Sequence, residues 1–131
     1  MRMAIESRLG EELSRYLDLA TSQIKLTAAN MANIDTPGYR AVGMDFEAEM
    51  QGAMQGVDDQ EFEAGNAEAQ HTPRPPRVRQ VDGLVSRPDG NDVSMDKESL
   101  TMAEAQLKFK TGVALLKVQN QMILDAIHVD K

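Results

Sequence analysis

The chain offers few side chains that could do covalent or metal chemistry. His71 and His128 are its only histidines, and it has no cysteine. A nucleophilic triad or a metal centre needs several such groups converging. His71 adjoins a proline-rich run and His128 lies near the C-terminal end, and neither stands beside such a set. Without a thiol, disulfides, Cys-ligated metals and thiolate nucleophiles are excluded. Glu47 and Glu49 are close enough to share acid–base work, but such pairs are common in any acidic segment. Gly52-Ala53-Met54-Gln55-Gly56 has two glycines and no lysine after them, so it is not a phosphate-binding loop. The sequence names no catalytic residue, no cofactor-binding residue and no metal ligand. It reads as a non-enzyme that needs no cofactor and takes no small-molecule substrate.

The chemistry that remains is hydrogen bonding, and it is concentrated in Ala29-Asn30-Met31-Ala32-Asn33-Ile34-Asp35-Thr36-Pro37-Gly38-Tyr39-Arg40. An amphipathic helix can run to Ala32 but not past Thr36. Pro37 has no N–H for the helical ladder and pushes Thr36 toward extended backbone. Thr36-Pro37-Gly38-Tyr39 fits a type II turn, with proline at the second position and glycine at the third, where φ must be positive. A β-branched residue at position 38 would be strained. Asn30, Asn33 and Asp35 are short polar side chains suited to the free carbonyls and amides of a helix end.

Two long helices must hold this stretch in place. In the first, from about Leu9 to Ala32, Leu9, Leu13, Tyr16, Ala20, Ile24, Thr27 and Met31 form one stripe, widened by Leu17, Leu19 and Ala28. The second runs from about Ser94, a suitable N-cap, to Ile127. Asp96 and Glu98 lie in its first turns, where the helix dipole favours negative charge. It carries two stripes. One is Leu100, Ala103, Leu107, Thr111, Ala114, Val118 and Met122; the other is Met102, Ala105, Phe109, Val113, Leu116, Ile123 and Ile127. The shorter helix cannot cover both, and a helical hairpin has a marginal core. The uncovered stripe is expected to seek other chains, and the monomer to fold weakly and order on assembly.

Between the helices, residues 45–70 hold eight acidic residues and no Lys or Arg. A short helix over Glu47–Gln55 is expected there, with Phe46 packing back on a long helix as an anchor. The rest reads as irregular. His71 to Asn91 contains four prolines and four arginines, an extended linker whose arginines are set to pair with the preceding carboxylates, within the chain or between copies. Arg77–Val81 and Leu84-Val85 flank Asp82-Gly83 as a possible hairpin. The organisation expected is all-α: residues 1–34 a coiled-coil helix, 35–93 the turn and an irregular or extended middle, and 94–131 a second coiled-coil helix, the two helices paired as an antiparallel hairpin.

A formal charge of −7 argues against nucleic acid and anionic membrane surfaces as partners. No apolar run approaches a membrane span, and no signal-peptide pattern opens the sequence, which by itself suggests a cytoplasmic protein. Aromatic residues are scarce, two Tyr and three Phe, while nine methionines provide adaptable apolar surface.

The Ala-Asn-x-Ala-Asn-x-x-Thr-Pro-Gly-Tyr string after an N-terminal helix resembles the signature of the flagellar rod and hook family of axial proteins. Met44-Asp45-Phe46, Val93 to Glu98, Met102 to Phe109 and the closing Leu124-Asp125-Ala126-Ile127 are similar to the short proximal-rod members. Phe109 stands where that pattern commonly has tyrosine. The resemblance implies a structural subunit whose paired terminal helices build a helical tube, the periplasmic rod of the flagellar basal body. It implies export through the flagellar type III apparatus without a cleaved signal, and torque transmission from the MS ring to the hook. The implied partners are other copies of the chain and the axial proteins FliE and FlgC, with the MS ring and export gate as further contacts. Leu13, Tyr16, Ala20, Ile24, Met31, Leu100, Leu107, Phe109, Val113, Leu116, Ile123 and Ile127 would pack the coiled coil. Asn30, Asn33, Thr36, Pro37, Gly38 and Tyr39 would fix where the chain leaves the tube wall. The alternatives are a FlgC-type rod subunit, which shares the turn, and a cytoplasmic helical adaptor or chaperone.

Overall fold

The computed structural model describes residues 2–63 and 74–129, with side chains over 8–55 and 74–128. Expectations for His71, and for the acidic and proline-rich residues between 64 and 73, lie outside the described residues. In chain order the elements are α1 (Arg2–Ala32), β1 (Val42–Gly43), α2 (Phe46–Glu63), β2 (Arg79–Gln80) and α3 (Met95–Val129). The protein is mostly helical.

α1 and α3 lie along each other in opposite directions. Gly10 at the start of α1 lies against the side chain of Gln119, and Gly112 lies against Tyr16 and Leu17. At the other end Asn30 of α1 bonds Glu98 of α3. Leu13, Leu19, Ala20, Thr27 and Asn30 are buried on α1, and Glu98, Ala105, Gly112 and Gln119 on α3. Leu13, Ala20 and Thr27, and the four residues of α3, recur every seven residues, the spacing that keeps one seam facing a partner helix in a coiled coil. The α3 seam is built from small and polar residues, not from large apolar ones. A Cβ at Gly112 would stand 2.7 Å from Leu17 Cδ2 and 3.0 Å from Tyr16 Cδ1, so the helices approach closely there because no side chain intervenes. Met102, Val113, Leu116 and Ile123 flank the seam half-buried, while Phe109 and Ile127 are exposed at its margin.

The middle of the chain departs from expectation in two ways. Its helix is an 18-residue element, not the short Glu47–Gln55 piece in an otherwise irregular segment. Asp45 starts it: the Oδ1 accepts from Ala48 N–H at 3.1 Å, an N-cap, and Glu47 and Glu49 lie in the first turn. Alanine, glutamine, glutamate and methionine then carry the helix through its glycines. The second departure concerns Arg79–Gln80, which does not fold back on Leu84-Val85. It pairs antiparallel with β1, Val42 opposite Gln80 and Gly43 opposite Arg79. Gly83 does adopt positive φ, 78°. The bend at Asp82-Gly83 therefore exists, but β1 was the strand with bonding groups to offer.

Phe46, the first residue of α2, meets Tyr16 edge-on with ring centroids 5.3 Å apart. Lys108 Nζ stands over the Phe46 ring, 4.0 Å from its centre. This is the anchor expected of Phe46, held between the two long helices. Among the described residues no helix is long and apolar enough to cross a membrane.

Candidate functional site

α1 ends where the sequence says it must. Asn33 N–H still reaches Ala29 O at 3.1 Å, and its side-chain Nδ2 donates to the same carbonyl at 2.8 Å. Thr36 N–H donates to Asn33 O and the Thr36 hydroxyl to Asn33 Oδ1, at 3.1 and 3.0 Å. The turn follows: Tyr39 N–H donates to Thr36 O at 3.2 Å, and Gly38 has φ 75°. A Cβ on Gly38 would meet nothing within 4 Å, so backbone conformation and not crowding selects glycine.

Asn30 sits one turn back, buried to 2% exposure. Its Nδ2 donates to Val42 O at 2.7 Å, and its Oδ1 accepts from Val42 N–H at 3.0 Å. The carboxamide thus takes both polar groups on one edge of β1, as a neighbouring strand would. The other edge serves β2, with Val81 N–H donating to Ala41 O at 3.0 Å. Asn30 Oδ1 also accepts from the Tyr39 hydroxyl at 3.0 Å, and Nδ2 donates to Glu98 Oε2 at 3.1 Å. One side chain therefore ties α1, the turn, β1 and α3 together.

The segment before α3 completes the junction. Asn91, fully buried, directs Nδ2 at the carbonyls of Asn33, Ile34 and Thr36, at 2.9, 3.0 and 2.8 Å. The Arg87 guanidinium donates to Ile34 O as well. Asp92 Oδ1 accepts from Ala41 N–H at 2.6 Å, and Arg40 stands 3.8 Å from its other oxygen. Burial pushes the Glu98 carboxyl above its ordinary range, and the bond from Asn30 pulls it partly back. Burial, followed by the negative charges of Glu98 and Asp92, raises the Tyr39 phenol. The arrangement holds polar groups in fixed geometry; among the described residues no cluster of His, Asp and Glu could hold a metal ion.

No family model matches the chain. A flagellar basal body rod protein FlgB of Salmonella typhimurium is 32% identical over 121 residues, covering 85% of this chain and 86% of the relative. The FlgB of Escherichia coli K12 is 32% identical over 119 residues with the same coverage, and that of Cereibacter sphaeroides 30% identical, covering 87% and 89%. The chain belongs to the FlgB family of flagellar basal body rod proteins.

In this chain the turn residues named from sequence converge: Asn30, Asn33, Thr36 and Tyr39 are linked by hydrogen bonds around Pro37 and Gly38. The packing residues divide. Leu13 and Ala20 are buried and Tyr16, Ile24, Met31, Val113, Leu116 and Ile123 half-buried. Leu100 and Leu107 face away from α1, with Val118 and Met122 on the same line, at exposures of 63, 66, 56 and 66%. Asn91 and Asp92 were not singled out, and Arg87, one of the four arginines expected to pair with carboxylates, donates to the Ile34 carbonyl. The available signal was Arg87-Pro88-Asp89-Gly90, a turn string with proline second and glycine fourth.

Proposed function

We propose that this FlgB chain is a structural subunit of the proximal rod, assembling with copies of itself and with axial proteins of the FliE and FlgC type into a helical tube that carries torque from the MS ring to the hook. On this reading it reaches the periplasm through the flagellar export apparatus without a cleaved signal. The observation that carries the reading is the line of Leu100, Leu107, Val118 and Met122 left open along a helix whose opposite side is already covered by α1. An apolar line of that length on a single chain is a surface for further helices. The Thr36–Tyr39 turn then sets where each chain leaves the helical wall.

Leu107→Asp tests it. The side chain is 66% exposed, so monomer stability should change by no more than about 0.5 kcal/mol. Motility of a deletion strain complemented with the variant should be lost, and mass spectrometry of purified hook-basal bodies should find the wild-type chain but not the variant. A motile strain with normal hook-basal bodies would overturn the packing assignment. Wild-type chain recovered only in the cytosol would overturn the rod.

A further inference from the structure

We propose that Asn91 is a latch for the turn that follows α1, supplied from the other arm of the chain, and that it sets the direction in which the backbone leaves the helix. The proposal rests on reading the Thr36–Tyr39 turn as that exit. An α-helix leaves its last carbonyls without partners inside the helix. Those of α1 are met locally, Ala29 O by the N–H and Nδ2 of Asn33, Asn30 O by Asn33 N–H and Met31 O by Ile34 N–H.

The carbonyls just past the helix, those of Asn33, Ile34 and Thr36, take a donor from 55 to 58 residues further on. Asn91 Nδ2 serves three carbonyls, and every other polar group of the residue is also engaged. Its Oδ1 accepts from Val93 N–H at 2.9 Å, its backbone oxygen accepts from Arg87 N–H at 2.9 Å, and its own N–H donates to Asp89 Oδ1 at 3.0 Å. The residue is thus held from both sides before it reaches α1. The turn that presents it, closed by Gly90 N–H to Arg87 O at 2.9 Å, lies directly on the exit turn. Gly38 N–H donates to Asp89 O at 2.9 Å, and a Cβ on Gly90 would stand 3.4 Å from Gly38 Cα. Asp92 N–H adds a bond to Tyr39 O at 3.3 Å. All of these donors and acceptors stand just ahead of Met95, where α3 begins. The exit turn is therefore complete only while α3 is docked on α1. The N-terminal arm closes the turn with bonds of its own, and the second arm fixes it in place.

Asn91→Asp in the full-length chain keeps the shape and removes the donor. Amide hydrogen exchange in the isolated chain should accelerate at least about tenfold at Gly38, Ala41 and Asp92, with the middle of α3, Ala105 to Gln119, unchanged. Unchanged exchange at the turn would overturn the proposal, and so would equal acceleration along the whole of both helices. Should the variant fail to fold, wild-type exchange measured against denaturant decides the matter. Gly38, Ala41 and Glu98 amides opening together support the latch, and turn amides opening independently of Glu98 overturn it. These readouts need no assembled rod, so they stand or fall apart from the motility result for Leu107→Asp.

Discussion

The two ends of the α1–α3 pair are held by different physics. Where α1 stops, Asn30, Asn91, Asp92 and Glu98 are buried and joined to backbone and to one another by directional bonds. Away from that end the seam is Leu13, Ala20, Ala105, Gly112 and Gln119, a thin line of mostly small side chains with half-buried flanks. Among the described residues the buried polar side chains are as numerous as the buried apolar ones. Apolar contact is non-directional and tolerates re-packing. A buried amide or carboxylate tolerates no displacement without losing partners. The junction therefore fixes geometry, while the seam and the open α3 line supply adaptable surface.

Breaking the junction should have the largest effect. Asn30→Ala strands Val42 N–H and O, the Tyr39 hydroxyl and the Glu98 carboxyl, and should cost on the order of 3 kcal/mol in urea unfolding. A loss below about 1 kcal/mol would mean that the two ends do not differ as described. Next comes the seam: Gly112→Val forces a branched side chain against Leu17 and Tyr16 and should cost about 2 kcal/mol, part of it relieved by movement of Leu17. Gly52 makes the control, since a Cβ there meets nothing within 4 Å; Gly52→Ala should stabilise by roughly 0.5–1 kcal/mol. The smallest effect is the most diagnostic. The Glu98 carboxyl titrates higher in the folded chain than in the unfolded one, because burial disfavours its charge. Folding then takes up a proton. The contribution of this group is full below the unfolded carboxylate value and is lost as pH rises through the raised folded value. Glu98→Gln should flatten that part of a stability-against-pH curve; an unchanged curve would locate the buried charge elsewhere.

Much of this was legible in the residues. Pro37 restricts the backbone and Gly38 permits the positive φ the turn needs, so the helix end and the turn could be read without any partner. The two lines of α3 were visible as apolar stripes, but the length argument for leaving one open did not hold: α1 starts at Arg2 and has 31 residues against 35 for α3. Two kinds of information were not local. The α3 seam passes through Gly112 and Gln119, which a search for large apolar residues skips, because close approach selects for what is absent. The partners of Asn33, Ile34 and Thr36 lie near position 91, and nothing within a turn of either segment announces the other. The pairing of β2 with β1, in place of Leu84-Val85, has the same cause: Asn30 had already engaged one edge of Val42 and left the other to be filled.

The bridge from Asn30 to Glu98 has a mechanical consequence. A seam repeating every seven residues offers nearly equivalent registers, and helices that meet only through such a seam can slip past one another by a turn under axial load. The carboxamide and carboxylate match in one register alone. Shear along the pair is therefore resisted at the pole beside the exit turn.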